Sequence, residues 1–289
     1  MPIEDTIRLL IGLTVDGLGQ GLLFAMLGLG ITLVFGLGGV LNLSIGMFSV
    51  LTVLLSIWAL EFVPSIWVAM LLGIFAVTLL SYLVDQIVLP IVYRSEGDER
   101  MLLGIFGTLG LAIFLEGLAV LRFPSGYTLP VDFAPISVEG IFIRASSLVI
   151  IAVATVTTVV LYLFFERTYL GQAARTLMQD ETGTVLCGID ARKLRTQIFV
   201  LSTVIAAITG LLWSLGTAVS GATSLRLAIY GVMVSIAGGV TSLSGTFVAG
   251  LALGLISTYV ASFMGSYWSN VAIFGVVIAI LLIKPGRVS

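Results

Sequence analysis

The chain has 289 residues, of which 59% are hydrophobic and only 10% are charged, with a formal net charge of −2. Soluble globular domains carry about 25% charged residues, so this composition excludes an ordinary soluble protein. Apolar runs long enough to cross the roughly 30 Å hydrocarbon core of a bilayer recur along the whole length. The sequence therefore predicts an all-α polytopic membrane protein with a single transmembrane domain over residues 1–289.

The predicted elements follow one another with few long loops. Residues 1–16 set charges against an apolar stripe, which is typical of a short helix at the membrane interface. Apolar segments come next, and the seventh is short and interrupted by glycine, so we predict eight or nine transmembrane or half-membrane helices. They fall at 18–36, 45–63, 66–89, 101–123, 148–165, 198–217, 226–240, 246–264 and 270–283. Interrupted helices are predicted near 36–46 and 238–246.

The distribution of basic residues predicts the orientation. A polar island at 167–195 holds five of the 13 Lys and Arg residues. Basic residues are retained on the cytoplasmic side, and an inside island puts nine of them inside and four outside. This orientation makes 166–197 a cytoplasmic coupling loop, 124–147 the largest external loop and 1–16 an external segment. We predict a multi-pass protein of the inner or plasma membrane with a cytoplasmic C-terminus.

The residue inventory excludes several kinds of chemistry. The chain has no histidine and one cysteine, Cys187, so neither an imidazole metal site nor an intrachain disulfide can form. Its two lysines, Lys193 and Lys284, do not follow a glycine, so the phosphate-binding Gly-Lys-Ser/Thr loop is impossible. We expect no catalytic residues, metal, cofactor or nucleic acid partner. If ATP drives this protein, another chain must hydrolyse it.

Two glycine-rich segments repeat each other at an offset of 200 residues. GGVLNLS at 38–44 and GGVTSLS at 238–244 share five identities. Chance similarity between two membrane turns, or close helix packing through small residues, is one explanation. The other is a duplicated interrupted helix, whose unwound backbone would line a substrate pathway. The predicted pathway residues are Gly38, Gly39, Asn42, Ser44, Gly46, Gly238, Gly239 and Ser244.

Glu116 is the candidate carboxylate inside a predicted span, where an ionisable group is a functional hypothesis by default. It could bind the ammonium group of an amino acid or relay a proton. It also lies within about two helical turns of Arg122 and the external end, so a locally paired, interfacial glutamate is the alternative. Asp85, near the inner end of its span, is interpreted as interfacial.

The polar island has a helix-forming centre at 172–178, with Gly171 and Gly183 as candidate ends and Arg175 projecting from it. A short helix between two spans can pass the movement of a soluble motor to the membrane. The alternative is an amphipathic loop whose arginines reach anionic lipid. The basic cluster at 192–195 is interpreted as ordinary anchoring on the inner side.

Three stretches of the chain resemble one family. GLGQGLLFAMLGLGITLVFGLGGVLNLSIGM at 17–47 looks like the opening spans of permease subunits of branched-chain amino-acid ABC importers, with Asn42 and Gly46 at matching positions. SIAGGVTSLSGTFVAGLALGLI at 235–256 resembles a late glycine-rich segment of that family. The island is similar to its cytoplasmic Gly-x-Ala-x-Arg-Ala motif with a following Gly-Ile. The matching coupling residues here are Gly171, Ala173, Ala174, Arg175, Gly188 and Ile189.

The resemblance implies a permease subunit of an ATP-driven importer for a small polar solute, with branched-chain or other amino acids expected first. It implies a second permease subunit, identical or different, two cytoplasmic ABC ATPase subunits docked at 169–190, and an extracytoplasmic solute-binding protein. The chain departs from the family at 42–46, which lacks the usual histidine, and at Tyr230, where a basic residue is common one turn after Arg226. Urea, amide or sugar transport stays open, as do a secondary transporter using Glu116 and a passive channel.

Overall fold

The computed structural model describes residues 3–95, 97–131, 136–138 and 141–283 of the chain. They form, in order, α1 (Ile3–Gly38), α2 (Ile45–Ala59), α3 (Ile66–Ile87), α4 (Leu89–Val92), α5 (Gly97–Arg122), β1 (Ile136–Val138), β2 (Ile141–Ile143), α6 (Ala145–Arg167), α7 (Tyr169–Gln179), α8 (Glu181–Leu186), α9 (Ala191–Ser214), α10 (Thr223–Gly238), α11 (Leu243–Met264) and α12 (Ser266–Ile283). The basic tail residues Lys284 and Arg287 lie outside the described part.

Nine of the described helices are apolar enough to lie in a membrane. Helices α1, α3, α5, α6, α9, α11 and α12 are long enough to cross it, whereas α2 and α10 have only 15 and 16 residues. Helices satisfy their own backbone hydrogen bonds, which is what a chain in lipid requires. The predicted polytopic helical fold, its eight or nine membrane helices and both interruptions are therefore confirmed.

The exception to the all-helical prediction is a small hairpin between α5 and α6. Strands β1 and β2 have three residues each and pair antiparallel, with Ile136 opposite Ile143. The hairpin falls in the loop predicted at 124–147, of which residues 132–135 and 139–140 are outside the described part. A two-stranded pairing of this size adds a local turn to the helical bundle and leaves its architecture unchanged.

Helix α1 is the centre of the bundle. In the most apolar 18-residue stretch of α1, 89% of the residues are buried. In the corresponding stretches of α3, α5, α6, α11 and α12 only 17–28% are buried. Helix α1 packs against α6, α9, α10 and α11. Residues 3–16, predicted as a separate interfacial helix, continue into α1 without a break. At 36 residues, α1 is about 54 Å long, so it exceeds the hydrocarbon core of roughly 30 Å.

Small residues join α1 to α11. A methyl group added to Gly254 would collide with the backbone of Gly21, and one added to Gly250 would collide with Ala25. Small side chains let two helix backbones approach closely in a membrane, where dispersion contacts replace the hydrophobic effect as the cohesive force. This contact fixes α11, and with it the second interrupted segment, against the central helix.

Candidate functional site

The first interruption begins where α1 ends. Gly39 has φ +63°, a left-handed conformation that glycine adopts readily. Asn42 then turns the chain into α2, because its Oδ1 accepts hydrogen bonds from the Ser44 amide at 3.1 Å and the Ser44 hydroxyl at 2.5 Å. Asn42 is 1% exposed, and its Nδ2 has no hydrogen-bond partner within the described part of the chain. A buried amide donor thus remains free beside the break.

The interrupted segment turns back into the bundle. Ile45, the first residue of α2, lies against Gly30 of α1. Gly30 precedes the end of α1 by eight residues, which corresponds to about 12 Å along the helix. Helix α5 covers the segment, because the Leu43 amide donates to Thr108 Oγ1 at 3.0 Å. Asn42 and Ser44 are therefore buried in protein, whereas Gly39 at the end of α1 is exposed.

Gly46 is explained by helix packing. A methyl group at this position would collide with the carbonyl oxygen of Ser224 and come within 2.7 Å of the Ala228 amide nitrogen. Glu116 of α5 reaches the same residue from another side, since its Oε2 accepts from Ser224 Oγ at 3.3 Å. Gly46 and Glu116 therefore both lie against Ser224, near the start of α10. Gly46 follows Asn42 and Ser44 closely in the sequence.

The second interruption joins α10 to α11. Gly238 is in contact with the backbone of Thr246, Gly239 has φ +99°, and the Ser242 hydroxyl caps α11 by accepting from the Gly245 amide at 3.1 Å. Ser244 is exposed and lines a cavity of about 680 Å³ between α6, α7 and α11, which Arg175 also lines.

One short part of α1 contacts both interruptions. Gly30 is adjacent to Ile45, where α2 begins, and Thr32 Oγ1 is 2.9 Å from Thr246 Oγ1, where α11 begins. Thr32 is also 2.8 Å from Ser235 Oγ of α10. The two segments with similar sequence therefore lie on different sides of one helix, and residues 28–32 of α1 connect them.

The predicted coupling residues form a helix with one buried face. Helix α7 begins earlier than predicted, at Tyr169, and ends at Gln179 rather than at Gly183. Gly171 fits against the backbone of Phe165, and Ala173 and Ala174 are buried. Arg175 is on the exposed face. The predicted coupling residues on α7 thus form a packed set, Gly171, Ala173 and Ala174, and one exposed residue, Arg175.

The rest of the island forms a second short helix. Asp180 caps α8 by accepting from the Gly183 amide at 3.0 Å. Gly188 has φ +84° and ends the turn, and the neighbouring Ile189 packs against the core. The side chains of Val185 and Leu186 are 51% and 83% exposed. One side of the island therefore packs against the spans, and the other side exposes the apolar side chains of Val185 and Leu186.

Arg195 is a residue that the sequence interpretation assigned wrongly. Instead of serving as a surface anchor, its guanidinium is buried, with 9% of the side chain exposed, and lies 2.6 Å from Glu181 Oε2. Its Nε donates to the carbonyl of Leu37 at 3.0 Å, and its guanidinium is 4.7 Å from the Tyr93 ring centre. Arg100 approaches the same carboxylate at 3.8 Å. This ion cluster joins α8 and α9 to the C-terminal end of α1.

The protonation state of Tyr93 suits its contact with the Arg195 guanidinium. Burial raises the pKa of the phenol to about 12, with smaller contributions of both signs from the charged groups around it. The ring therefore stays neutral at physiological pH and offers its face to the guanidinium.

Asp85, interpreted as interfacial, is instead 4% exposed and accepts from Thr196 Oγ1 at 2.6 Å. Nothing local in the sequence identifies the pairing of Asp85 with Thr196 or that of Arg195 with Glu181.

Comparison with known proteins decides the family. The family described as "Branched-chain amino acid transport system / permease component" matches residues 13–283. The chain belongs to this family. The permease component BraD of Pseudomonas aeruginosa is 27% identical over 293 residues, covering 94% of this chain and 92% of the relative. LivH of Escherichia coli K12 is 22% identical over 284 residues, covering 93% and 92%. Both are named high-affinity branched-chain amino acid transport system permease proteins.

A solved structure supports the fold of this permease. The structure of PsaBC from Streptococcus pneumoniae in complex with Fab aligns with a TM-score of 0.51 and 12% identity. The alignment covers 94% of this chain and 92% of that one. The family match and the apolar helices make the permease a multi-pass membrane protein of a transport system, and its family is one of transporters rather than of enzymes.

Proposed function

We propose that this permease moves amino acids, with branched-chain amino acids first, across the inner membrane as part of an ATP-driven importer. Separate ABC ATPase subunits would hydrolyse the ATP, a second permease chain would complete the pathway, and an extracytoplasmic protein would deliver the solute. The family and the names of BraD and LivH support the solute class. The lack of a possible phosphate-binding loop supports hydrolysis on other chains.

The exposed face of α7 and α8 carries this proposal. Tyr169, Val185 and Leu186 are 74%, 51% and 83% exposed, and the exposed residues between Tyr169 and Val185 are polar, Arg175 among them. Apolar side chains rimmed by polar ones are typical of a protein interaction surface. The opposite face of α7 is buried against α6, so pressure on the exposed face would be passed to the spans.

The orientation follows from the same surface. By the alternation of the predicted spans, nine of the 13 Lys and Arg residues are expected on the side of the island, and docking to cytoplasmic ATPases would place the island inside. The 36–46 and 238–246 segments would then lie towards the cytoplasm, with Asn42, Ser44 and Glu116 as candidate pathway groups. Asn42 supports this role with a buried, unbonded amide donor.

We expect Arg175→Glu to reduce co-purification of the ATPase subunits with the assembled permease at least tenfold. The substitution reverses the charge of an exposed residue of α7 and leaves the buried residues Gly171, Ala173 and Ala174 unchanged. Lys193→Glu is the matched control, because it makes the same charge change on a side chain that is 81% exposed outside that face. Normal association of the Arg175 variant would remove the docking role from α7.

Reconstitution in liposomes tests the dependence on partners. We expect uptake of labelled L-leucine only when the permease chains, the ATPase subunits, the binding protein and ATP are all present. The reason is that this chain has no nucleotide-binding loop of its own. Uptake by the permease alone, driven by a proton gradient, would instead support a secondary transporter and overturn the proposed dependence on ATP.

A further inference from the structure

A polar cavity of about 650 Å³ lies at the end of the bundle away from the polar island. Asp16, at its α1 wall, precedes Leu37 of the ion cluster by 21 residues, which is about 32 Å along the helix. Residues of α6, α9, α10, α11 and α12 complete the walls. In the proposed orientation the cavity is on the external side. Its volume lies in the range of about 300–1,000 Å³ that is usual for small-molecule sites.

One wall of the cavity is aromatic. The rings of Phe24 and Tyr230 have centres 4.8 Å apart, and Trp213 lies 6.1 Å from Phe24 and 6.3 Å from Tyr230. All three residues line the cavity. A group of rings from three different helices provides a rigid apolar surface against which an aliphatic side chain can pack.

Charges of both signs line the same cavity. Asp16 Oδ1 accepts from the Ser147 hydroxyl at 2.6 Å, and its second oxygen has no hydrogen bond within the described residues. Arg144 and Arg226 also line the cavity, and neither forms an ion pair with any described residue. A carboxylate and two guanidinium groups therefore share one space without neutralising one another.

Trp213 supplies an independent indication of a ligand. The residue is 7% exposed, and its indole Nε1 is buried without a hydrogen-bond acceptor among the described residues. Indole nitrogen can only donate, and an unbonded buried donor is destabilising. Trp213 lines the cavity, so an acceptor that enters it and reaches the indole nitrogen would satisfy this donor.

We propose that this cavity binds an amino acid in its zwitterionic form, which rests on the proposed function and gives it a site. The α-carboxylate pairs with Arg226 and Arg144 and accepts from the Trp213 indole, the α-ammonium group pairs with Asp16, and the aliphatic side chain packs on Phe24 and Tyr230. Neutral solutes such as urea or a sugar would leave the three charges unpaired. The cavity therefore selects an apolar zwitterion.

The test is binding of radiolabelled L-leucine to the full chain in lipid nanodiscs, without the binding protein. We expect unlabelled L-leucine to displace it, whereas 4-methylpentanoate, which lacks the ammonium group, and leucinamide, which lacks the carboxylate, compete at least tenfold more weakly. Asp16→Asn and Arg226→Gln should each weaken L-leucine binding at least tenfold. Asparagine at position 16 can still accept from Ser147, so the packing there is kept.

Three further variants sharpen the result. Trp213→Phe keeps the aromatic wall and removes the donor, so it should weaken binding about fivefold. Arg122→Gln is the control, because Arg122 pairs with Glu61 at 2.8 Å on an exposed surface outside the cavity, and it should leave binding unchanged. Arg226→Lys keeps a positive charge and should retain more affinity than Arg226→Gln.

Unchanged L-leucine affinity in the Asp16 and Arg226 variants would overturn the cavity assignment, and so would equal competition by urea or glucose. Co-purification of the ATPase subunits is measured on every variant. Normal association together with unchanged binding would reject the cavity and leave the proposed function intact. Absence of ATPase association in the unmodified chain would instead reject the proposed function.

Discussion

Replacing Arg195 with alanine is expected to lower ATP-driven uptake more than tenfold while the ATPase subunits remain bound. The substitution leaves the exposed face of α7 intact but removes the ion pair with Glu181 and the hydrogen bond to Leu37 O. Helix α8 would then no longer be tied to the C-terminal end of α1. ATP hydrolysis should continue in the reconstituted complex, so that hydrolysis without uptake is the result to look for.

The thermodynamic effect of Arg195→Ala should be moderate. A hydrogen bond from a charged donor contributes about 1.5–3 kcal/mol, but Glu181 is 47% exposed and solvent weakens its part of the pair. We therefore expect a loss of about 2 kcal/mol in the free energy of unfolding. Arg195→Lys keeps the charge and should retain part of the uptake.

Lys193→Ala is the matched control for Arg195. It lies on the same helix, its side chain is 81% exposed, and its partner is the neighbouring Asp190. Uptake by this variant should remain within about twofold of the unmodified protein, as is usual for an exposed ion pair. If Arg195→Ala transports as well as Lys193→Ala does, the ion cluster has no part in coupling.

Gly46→Val is expected to prevent stable assembly of the bundle. Its side chain would press on the backbone of Ser224 and Ala228, and backbone atoms within a helix cannot move aside as a flexible side chain can. Overpacking of this kind costs about 1–3 kcal/mol or more. We expect a large loss of monodisperse protein in size-exclusion chromatography and a lower melting temperature.

Gly110→Val tests whether valine in a membrane helix is itself harmful. Gly110 lies on the exposed side of α5, and a methyl group there would meet no atom within 4 Å. This variant should be recovered in normal yield. Equal recovery of the Gly46 and Gly110 variants would show that α2 and α10 are not in close contact at Gly46.

The sequence predicts the helical architecture well because the membrane makes it a local property. Each apolar segment must be helical to satisfy its backbone, so length and composition are enough to locate it. The two interruptions were also predictable, since glycine with Asn42 or Ser242 is typical of turns. Residues 3–16 are harder, because charges there suggest an interface while no residue forces the helix to break before α1 continues.

The candidate sites depend on contacts between residues that are far apart in the sequence. Local sequence patterns do not predict such contacts. Arg195 and Leu37 are 158 residues apart, and Asp85 and Thr196 are 111 apart. A basic cluster next to a span reads equally well as a membrane anchor. Gly46 shows the same limit, because a motif glycine looks identical whether it lines a pathway or, as here, packs against another helix.

The continuity of α1 has a mechanical consequence. Its contacts with α2, α10 and α11 at residues 28–32 divide a rigid rod into two unequal arms. Asp16 lies about 21 Å from Gly30 on one side and Leu37 about 10 Å away on the other. A tilt of α1 about this region would move Asp16 and Leu37 in opposite directions, and Asp16 would travel about twice as far as Leu37. The ion cluster thus holds α1 on one side of residues 28–32, and on the other side α1 packs against α11 and forms a wall of the cavity that Asp16 lines.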